Sequence, residues 1–185
     1  MRTDRYDRGV AAETKGVARP IRRFGDPVLR TPTDEVVDFD ESLARLIDDM
    51  FASMYAAEGV GLAANQIGVS LSVFVYDCLD ASGRRHVGHV VNPLLVSAGG
   101  ELDEDSEGCL SIPGLYFDTA RASYAAVEGV DKDGDPVRVV GDGQLARCLQ
   151  HETDHLSGLL FVDRLTGRIK RKAMREVMAT DFSRE

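Results

Sequence analysis

The feature that most constrains the fold of this chain is the stretch CLQHETDHLSG at positions 148–158, where two histidines stand four residues apart. Side chains at positions i and i+4 share one face of an α-helix, so the spacing predicts a helix that presents His151 and His155 to one metal ion. Glu152 would stand next to that ion as a general base. Catalytic sites of this kind usually have about three protein ligands plus water, so the third ligand decides the class of protein.

Length and composition limit the classes to consider. The 185 residues fit one domain, since domains usually have about 100–200 residues. With 43% hydrophobic residues, the chain can bury a core. No apolar run approaches the roughly 18 residues of a membrane span, and the charged N-terminus lacks the apolar segment of a signal peptide. The formal net charge of -9 disfavours a general nucleic-acid binder.

The cysteines indicate the compartment. Cys78, Cys109 and Cys148 are odd in number and irregularly spaced, which argues against a disulfide framework and for a reducing environment. We therefore expect a cytoplasmic protein, in which a special cysteine is more often a metal ligand or a nucleophile. Residues 1–19 are polar and are expected to form a flexible leader before a single domain at 20–185.

Hydrophobic periodicity predicts an α+β fold. Apolar residues at helical spacing predict a helix over 41–57, with Asp40 as its N-cap and Gly59 as its stop. The other predicted elements are a helix at 144–157, a helix at 167–178 with Ile169, Ala173 and Val177 on one side, strands at 71–76 and 89–96, and a hairpin of 123–130 and 136–140. This order predicts mainly antiparallel sheets around a central metal-binding helix, with an N-terminal and a C-terminal helix.

The third metal ligand has one good candidate. No histidine or cysteine follows His155, and Glu176 lies in a basic segment where local ion pairs are its expected role. Upstream, the stretch EGCLSIPG at 107–114 places Cys109 after a glycine, in a predicted loop between strands. A thiolate and two imidazoles would leave a fourth position for water, which is the arrangement of an open catalytic site.

A glycine-containing stretch, GVGLAANQIG at 59–68, follows the first predicted helix. It follows no strand and lacks the third glycine of a dinucleotide-binding loop, which excludes that function. Gly59 and Gly61 would instead let another extended backbone come close. Gln66 offers an amide donor, although a surface or capping role would be expected if this stretch stood alone.

Together, the stretches GVGLAANQ, EGCLS and QHETDHLSG strongly resemble the three signature motifs of the peptide deformylase family, and IRRFGDPVLRTPTDEV resembles its start. The resemblance covers about residues 20–175 and implies a catalytic metallohydrolase domain. It implies removal of the N-formyl group from the formylmethionine of newly made polypeptides, with release of formate. It also implies one divalent metal ion, Fe(2+) favoured over Zn(2+) or another ion, held by Cys109, His151 and His155.

The resemblance further assigns roles to matching positions. Glu152 resembles the catalytic acid and base, and Gln66 and the backbone N–H of Leu110 resemble the donors to the oxyanion. The backbone that pairs with the peptide substrate is expected at Val60, Gly61 and Gly108.

Three further expectations concern the surroundings of this site. Asp154 points away from the ligand face and is expected to pair with Arg121, although a merely solvated Asp154 is nearly as good a reading. Cys148 lies one turn before His151 and is expected to line the pocket. The basic segment DRLTGRIKRKAMREV is expected to be a solvated face, and the resemblance makes contact with the ribosome plausible.

Two alternatives stay open at this point. One is a zinc endopeptidase of the HExxH type that uses Glu176 as its third ligand. The other is a non-enzymatic domain with a closed structural zinc site, for example Cys78, Cys109, His151 and His155. The presence of Glu152 and Gln66 speaks against the second alternative, because a structural site needs neither.

Overall fold

The structure is a computed structural model that describes residues 15–182. Within these residues the chain forms helices and one antiparallel sheet in the order expected of an α+β fold. The helices are α1 (Glu41–Ala56), α2 (Gly143–Leu156), α3 (Phe161–Arg164) and α4 (Gly167–Ala179). The strands are β1 (Gly61–Ala63), β2 (Val73–Leu79), β3 (Arg85–Cys109), β4 (Ile112–Val130) and β5 (Pro136–Asp142). The α+β prediction is confirmed.

The five strands follow one another across the sheet, and every neighbouring pair is antiparallel. The predicted hairpin around DKDGD is confirmed, because β4 pairs with β5 from Val130 opposite Pro136 onward. The predicted strand at 89–96 was too short, since β3 is 25 residues long. Its second half contains glycines and acids that disfavour a strand, and pairing with β4 forms it nonetheless.

Helix α2 occupies the centre of the fold and packs against several strands of the sheet. Leu145 and Leu149 are fully buried and pack with Phe74 and Val127. The helix spans 143–156 against a prediction of 144–157, so the predicted helix is confirmed within one residue at each end. A buried helix of this kind holds its side chains in fixed positions, which a precise site requires.

Helix α1 supports the stretch that follows it. Asp40 caps the helix as predicted, because its Oδ1 accepts the backbone N–H of Ser42 at 2.8 Å. The apolar stripe is buried between α1 and the sheet, with Met50 and Met54 fully enclosed. The helix ends at Ala56 rather than at Gly59, and the chain reverses with Glu58 at a φ of 56°.

Helix α4 covers one end of the molecule. Ala173 and Val177 are buried, as predicted, against a cluster that includes Phe161. Ile169, one turn before Ala173 on the same side of the helix, is 40% exposed. The basic side chains of α4 lie on its outer face.

The predicted leader at 1–19 is described only in part, and residues 1–14 lie outside the described residues. Val17 donates its backbone N–H to Asp49 of α1 at 2.8 Å, and the Arg19 N–H binds the Ser53 hydroxyl at 2.8 Å. The described chain therefore contacts α1 before residue 20, and a separate leader stays a prediction. None of the described helices has the length and apolar character that crossing a membrane requires.

Candidate active site

The side chains of Cys109, His151 and His155 converge at one point. The Cys109 Sγ lies 3.2 Å from His155 Nε2, and the two histidine Nε2 atoms are 3.1 Å apart. Helix α2 supplies both imidazoles, and β3 supplies the thiol. Cys109 is the last residue of β3, opposite Ile112, rather than part of a loop as the sequence suggested. The tight reversal after Cys109 turns the end of the strand towards the helix.

The three groups fit a divalent metal ion. Their ligand atoms all lie within 4.8 Å of one another. Among the described residues, these three form the cluster of side chains that could hold a metal ion. Ligands placed about 2.0–2.3 Å from a tetrahedral ion are themselves separated by roughly 3.3–3.8 Å, which is close to the separations in this site. One thiolate and two imidazoles suit Fe(II), Zn(II) and related ions better than Mg(II) or Ca(II).

Glu152 lies beside the ligands and is 3% exposed. Its Oε2 is buried and has no hydrogen-bond partner among the described residues, so this oxygen is available to a bound water or substrate. Burial, with the neighbouring carboxylates of Glu107 and Asp154, raises the pKa of Glu152 to about 7. A buried carboxyl with such a pKa can both accept and release a proton near neutral pH.

Gln66 lies beside Cys109 and is 1% exposed. Its Oε1 accepts the backbone N–H of Ala63 at 2.9 Å, which fixes the orientation of the amide. Its Nε2 then donates to Ser111 Oγ at 3.2 Å and lies 3.6 Å from Cys109 Sγ. The amide N–H groups therefore point towards the metal ligands, and Gln66 is not a surface residue.

A cavity of about 520 Å³ opens onto this group. Among its lining residues are all the positions that the resemblance assigned to catalysis and substrate binding, together with the predicted pocket residue Cys148. They are Val60, Gly61, Gln66, Gly108, Leu110, Cys148 and Glu152. His151 and Cys109 also line the cavity, whereas His155 lies behind them and is 1% exposed.

Gly59 and Gly61 of the 59–68 stretch lie against side chains of the site. A Cβ on Gly61 would lie 2.4 Å from Glu152 Oε1, and a Cβ on Gly59 would lie 2.6 Å from Leu110 Cδ1. The expected close approach of an extended backbone is also found at Gly61, which pairs with Tyr76 of β2. Any larger residue at Gly61 would displace the Glu152 carboxylate.

A buried ion network lies behind the ligands, and its central residue was missed by the sequence analysis. Glu107 Oε1 lies 2.6 Å from His151 Nδ1, and Arg121 binds the same carboxylate at 2.6 and 3.0 Å. Burial opposes ionisation of Glu107, but the bonds from His151 and Arg121 outweigh it and hold the pKa well below its usual range. An ionised Glu107 fixes His151 with Nε2 facing the other ligands.

The predicted pairing of Asp154 with Arg121 is confirmed by an Arg121 Nη1 to Asp154 Oδ2 distance of 2.6 Å. Arg164 also binds Asp154, and Arg147 binds Glu107 at 2.9 Å. Glu107 is the first residue of the EGCLS stretch, but a lone acidic residue beside a glycine gives no signal that it is buried. The burial of Glu107 becomes evident only in the structure, where residues of β4 and α2 bind its carboxylate.

Neither of the further ligands that the two alternatives require lies at the site. Glu176 is on α4, where it pairs with Lys172 at 3.8 Å. Cys78 is buried on β2, and its Sγ lies 3.8 Å from the Val60 carbonyl oxygen, outside the ligand group. Neither residue therefore joins the ligands.

A buried glutamate beside converging thiol and imidazole ligands, all lining an open cavity, defines the chain as a metal-dependent hydrolase. The model of the polypeptide deformylase family matches residues 18–171. The chain belongs to that family.

Relatives and solved structures agree with this assignment. Peptide deformylase 2 of Streptomyces avermitilis is 56% identical over 172 residues, which cover 93% of this chain and 92% of the relative. The peptide deformylase of Mycolicibacterium paratuberculosis is 54% identical over 88% of this chain and 89% of its own. The crystal structure of a peptide deformylase from Legionella pneumophila is similar with a TM-score of 0.78 at 45% identity, over 88% of this chain and 94% of that chain. A peptide deformylase from Synechococcus elongatus in complex with actinonin gives a TM-score of 0.79 at 39% identity, over 90% and 93% of the two chains.

Proposed function

We propose that this chain removes the formyl group from the N-terminal formylmethionine of new polypeptides and uses a divalent ion held by Cys109, His151 and His155. The observation that carries the proposal is the convergence of these three side chains beside the buried Glu152, in a member of the polypeptide deformylase family. The reaction is amide hydrolysis: water adds to the formyl carbon, the C–N bond breaks, and formate and a free amine leave.

The ion would supply Lewis-acid chemistry, because a bound divalent cation lowers the pKa of water and polarises a carbonyl oxygen. We infer Fe(2+) as the native ion, with Zn(2+) or another divalent ion able to occupy the same ligands. Ferrous iron and a cysteine ligand are both sensitive to oxygen. Activity of the Fe(II)-loaded protein is therefore expected to decay in air faster than that of the Ni(II)-loaded protein. Equal lifetimes under oxygen would contradict iron as the native ion.

Glu152 moves the proton in this reaction. Its unpartnered Oε2 accepts the proton of the attacking water, and the same carboxyl then delivers it to the departing amine nitrogen. A pKa of about 7 suits both halves of that task, because neither protonation state is strongly favoured near neutral pH. Gly61 has no side chain, which leaves space for the Glu152 carboxylate beside it.

Gln66 stabilises the charge that develops on the formyl oxygen. Its amide is oriented by Ala63, so its Nε2 donors need little reorganisation during the reaction. The backbone N–H of Leu110 is the proposed second donor, and Leu110 lines the cavity next to Cys109. Loss of one such donor typically lowers the rate by about 10²–10³.

Substrate selection follows from the enclosure of the site. A formyl carbon bears only hydrogen, so we expect the part of the cavity lined by Gln66 and Glu152 to admit it and to exclude a bulkier acyl group. We propose that the backbone of Val60, Gly61 and Gly108 pairs with the peptide, since all three line the cavity. Cys148, Val60 and Leu110 line the same space and offer apolar contacts to a methionine side chain.

We further propose that the protein works in the cytoplasm and meets nascent chains at the ribosome through the outer face of α4. Arg168, Arg171 and Arg175 are exposed on that helix, while Ala173 and Val177 anchor it to the core. Deleting α4 would uncover the core, so the test is reversal of the three arginines to glutamate. Salt-sensitive ribosome binding should fall, with turnover of a short peptide unchanged. Undiminished ribosome binding would contradict this contact.

The test of the activity compares a formyl-Met peptide with its acetylated and unformylated twins. Formate and a new amine are expected from the formylated peptide alone, and mass spectrometry should show no internal cleavage. Cleavage inside the unformylated peptide would instead indicate an endopeptidase. No product from any peptide, with metal bound, would contradict the proposal.

A further inference from the structure

Two consecutive residues of one short turn contact metal ligands that come from different elements. The 3-10 turn Ala64–Ile67 carries Asn65 and Gln66 side by side. Asn65 donates its Nδ2 to the His155 carbonyl oxygen at 2.6 Å, and Gln66 directs its Nε2 at Cys109 Sγ from 3.6 Å. The turn therefore connects the end of α2 to the end of β3 at the place where the ligands meet.

Asn65 is fully buried, and its bond is made to a helix end. The His155 carbonyl lies in the last turn of α2, where carbonyl groups lack the usual helical partners. Gly158 donates its N–H to the same oxygen at 3.0 Å, so Asn65 provides the second of two donors. A bond of this length to an enclosed carbonyl restrains the backbone that carries the His155 imidazole.

Two further side-chain atoms of Asn65 and His155 bear on this contact. Within the part of the chain that the structure describes, Asn65 Oδ1 and His155 Nδ1 are buried and have no hydrogen-bond partner. A neutral imidazole that offers Nε2 to a metal carries its proton on Nδ1, so one atom is a donor and the other an acceptor. No hydrogen bond joins these two atoms, so the contact that carries the inference is the one from Asn65 Nδ2 to the His155 carbonyl oxygen.

We propose that Asn65 is a positioning residue for the metal ligand His155 and that it sets the separation of His155 from Cys109 through the 3-10 turn. Glu107 has the corresponding role for His151, because its carboxylate contacts the Nδ1 atom of that imidazole. Each histidine then has its own buried positioning residue, one an acid and one an amide. The inference rests on the proposed metal site but not on the identity of the substrate.

The test replaces Asn65 with aspartate, which keeps the shape and turns the donor towards His155 into an acceptor. The matched control is Asn92→Asp, because Asn92 donates its Nδ2 to the Val36 carbonyl at 2.9 Å, away from the ligands. Each protein is loaded with Co(II), and its dissociation constant and visible absorption bands are measured. Formate release from a formyl-Met peptide then gives kcat and KM separately.

We expect Asn65→Asp to weaken Co(II) binding by about tenfold or more and to shift the absorption bands, since partners of metal ligands typically contribute about 10–100-fold. Its kcat should fall while KM stays near the wild-type value, and Asn92→Asp should match the wild type in both metal readouts. A wild-type spectrum and dissociation constant for Asn65→Asp would overturn the proposal, as would equal changes in the control. If Asn65→Asp does not fold, Asn65→Ser, whose hydroxyl is too short to replace the amide, is measured in the same way.

These readouts separate the inference from the proposed function. Altered Co(II) bands in Asn65→Asp, in a protein that releases no formate, would support the positioning role and contradict the deformylase activity. Formate release by Asn65→Asp with unaltered Co(II) bands would support the deformylase activity and contradict the positioning role.

Discussion

In the proposed reaction, single residues have three separate tasks, which are binding the ion, moving a proton and stabilising charge. Cys109, His151 and His155 offer the ligand atoms, and Glu152 lies next to them with one buried oxygen unpaired. Gln66 is oriented by its own backbone neighbourhood. Each of these side chains is buried or lines the cavity, which limits the reorganisation that a reaction would need.

Replacing Glu152 with glutamine tests its role, because glutamine keeps the shape but cannot accept the proton. We expect kcat for formate release to fall by about 10²–10⁴, the usual contribution of a general acid–base group. Metal content, measured by elemental analysis, should stay at the wild-type level because Glu152 is not among the ligand group. A variant with wild-type kcat would exclude Glu152 from proton transfer.

The sequence alone predicts some of the residues of the site but not all of them. The HExxH spacing predicts two ligands and the base on one helix face, and the cysteine motif predicts the third ligand. Glu107 and Asn65 were not predicted, because a carboxylate or an amide gives no sign in one sequence that it will be buried. Their roles depend on bonds to His151 and His155, which only the packed elements bring within reach.

Elements position these residues through a buried ion network between β3, β4 and α2. Arg121 on β4 contacts Glu107 on β3 and Asp154 on α2, with side-chain exposures of 4%, 4% and 9%. Removing one partner of such a pair leaves an unpaired buried charge, which is strongly destabilising. The network therefore fixes the end of β3 against α2.

A double-mutant cycle of Arg121→Met and Asp154→Asn measures this coupling by denaturant unfolding. We expect Arg121→Met alone to cost about 3–5 kcal/mol, and the two changes to couple by about 1–3 kcal/mol. The control is the exposed pair Arg138 and Glu128, for which coupling below about 1 kcal/mol is expected. Additive effects at Arg121 and Asp154 would show that the contact has no energetic role.

The pH dependence of stability tests Glu107. Its pKa is lowered in the folded state, so its ionised form stabilises the fold above the unfolded pKa, and this contribution is lost as the pH falls. The measurement compares the unfolding free energies of the wild type and Glu107→Gln, both metal-free. The difference between them should decrease by about 1.4 kcal/mol for each pH unit below pH ~4. Over this range His151 stays protonated whether folded or unfolded, since a free imidazole has a pKa of about 6.5.

The control for this measurement is Glu128→Gln, because Glu128 is half exposed in its ion pair. Its effect should be small at every pH. A difference between wild type and Glu107→Gln that stays constant from pH 5.5 to pH 3.5, with both proteins folded, would contradict a lowered pKa for Glu107.

Element boundaries show where sequence reasoning succeeds. Helices α1 and α4 follow from apolar residues at helical spacing, and α2 follows from the HExxH spacing. The β4–β5 hairpin follows from its turn residues. The long β3 and β4 do not, because their paired halves contain glycines, acids and register shifts that local preference does not favour. Pairing between distant segments decides these strands, and one sequence does not display it.

The whole molecule combines a net charge of -9 with a basic outer face on α4. The same helix buries Ala173 and Val177 against the core, so its outer charges are presented on a fixed support. The agreement with solved structures at TM-scores of 0.78 and 0.79 shows that this arrangement of elements is shared within the family. The active site lies between β3, α2 and the turn after α1, and therefore depends on the complete fold.

The most direct test of this account is anaerobic titration of metal-free protein with Fe(II), with formate release from a formyl-Met peptide as the readout. We predict that the rate rises linearly to one equivalent of Fe(II) per chain and then stays constant. Cys109→Ser should stay at least about tenfold below this rate at one equivalent, because it lacks the thiolate ligand. Formate release without metal, or a Cys109→Ser titration that matches the wild type, would contradict a catalytic ion held by Cys109, His151 and His155.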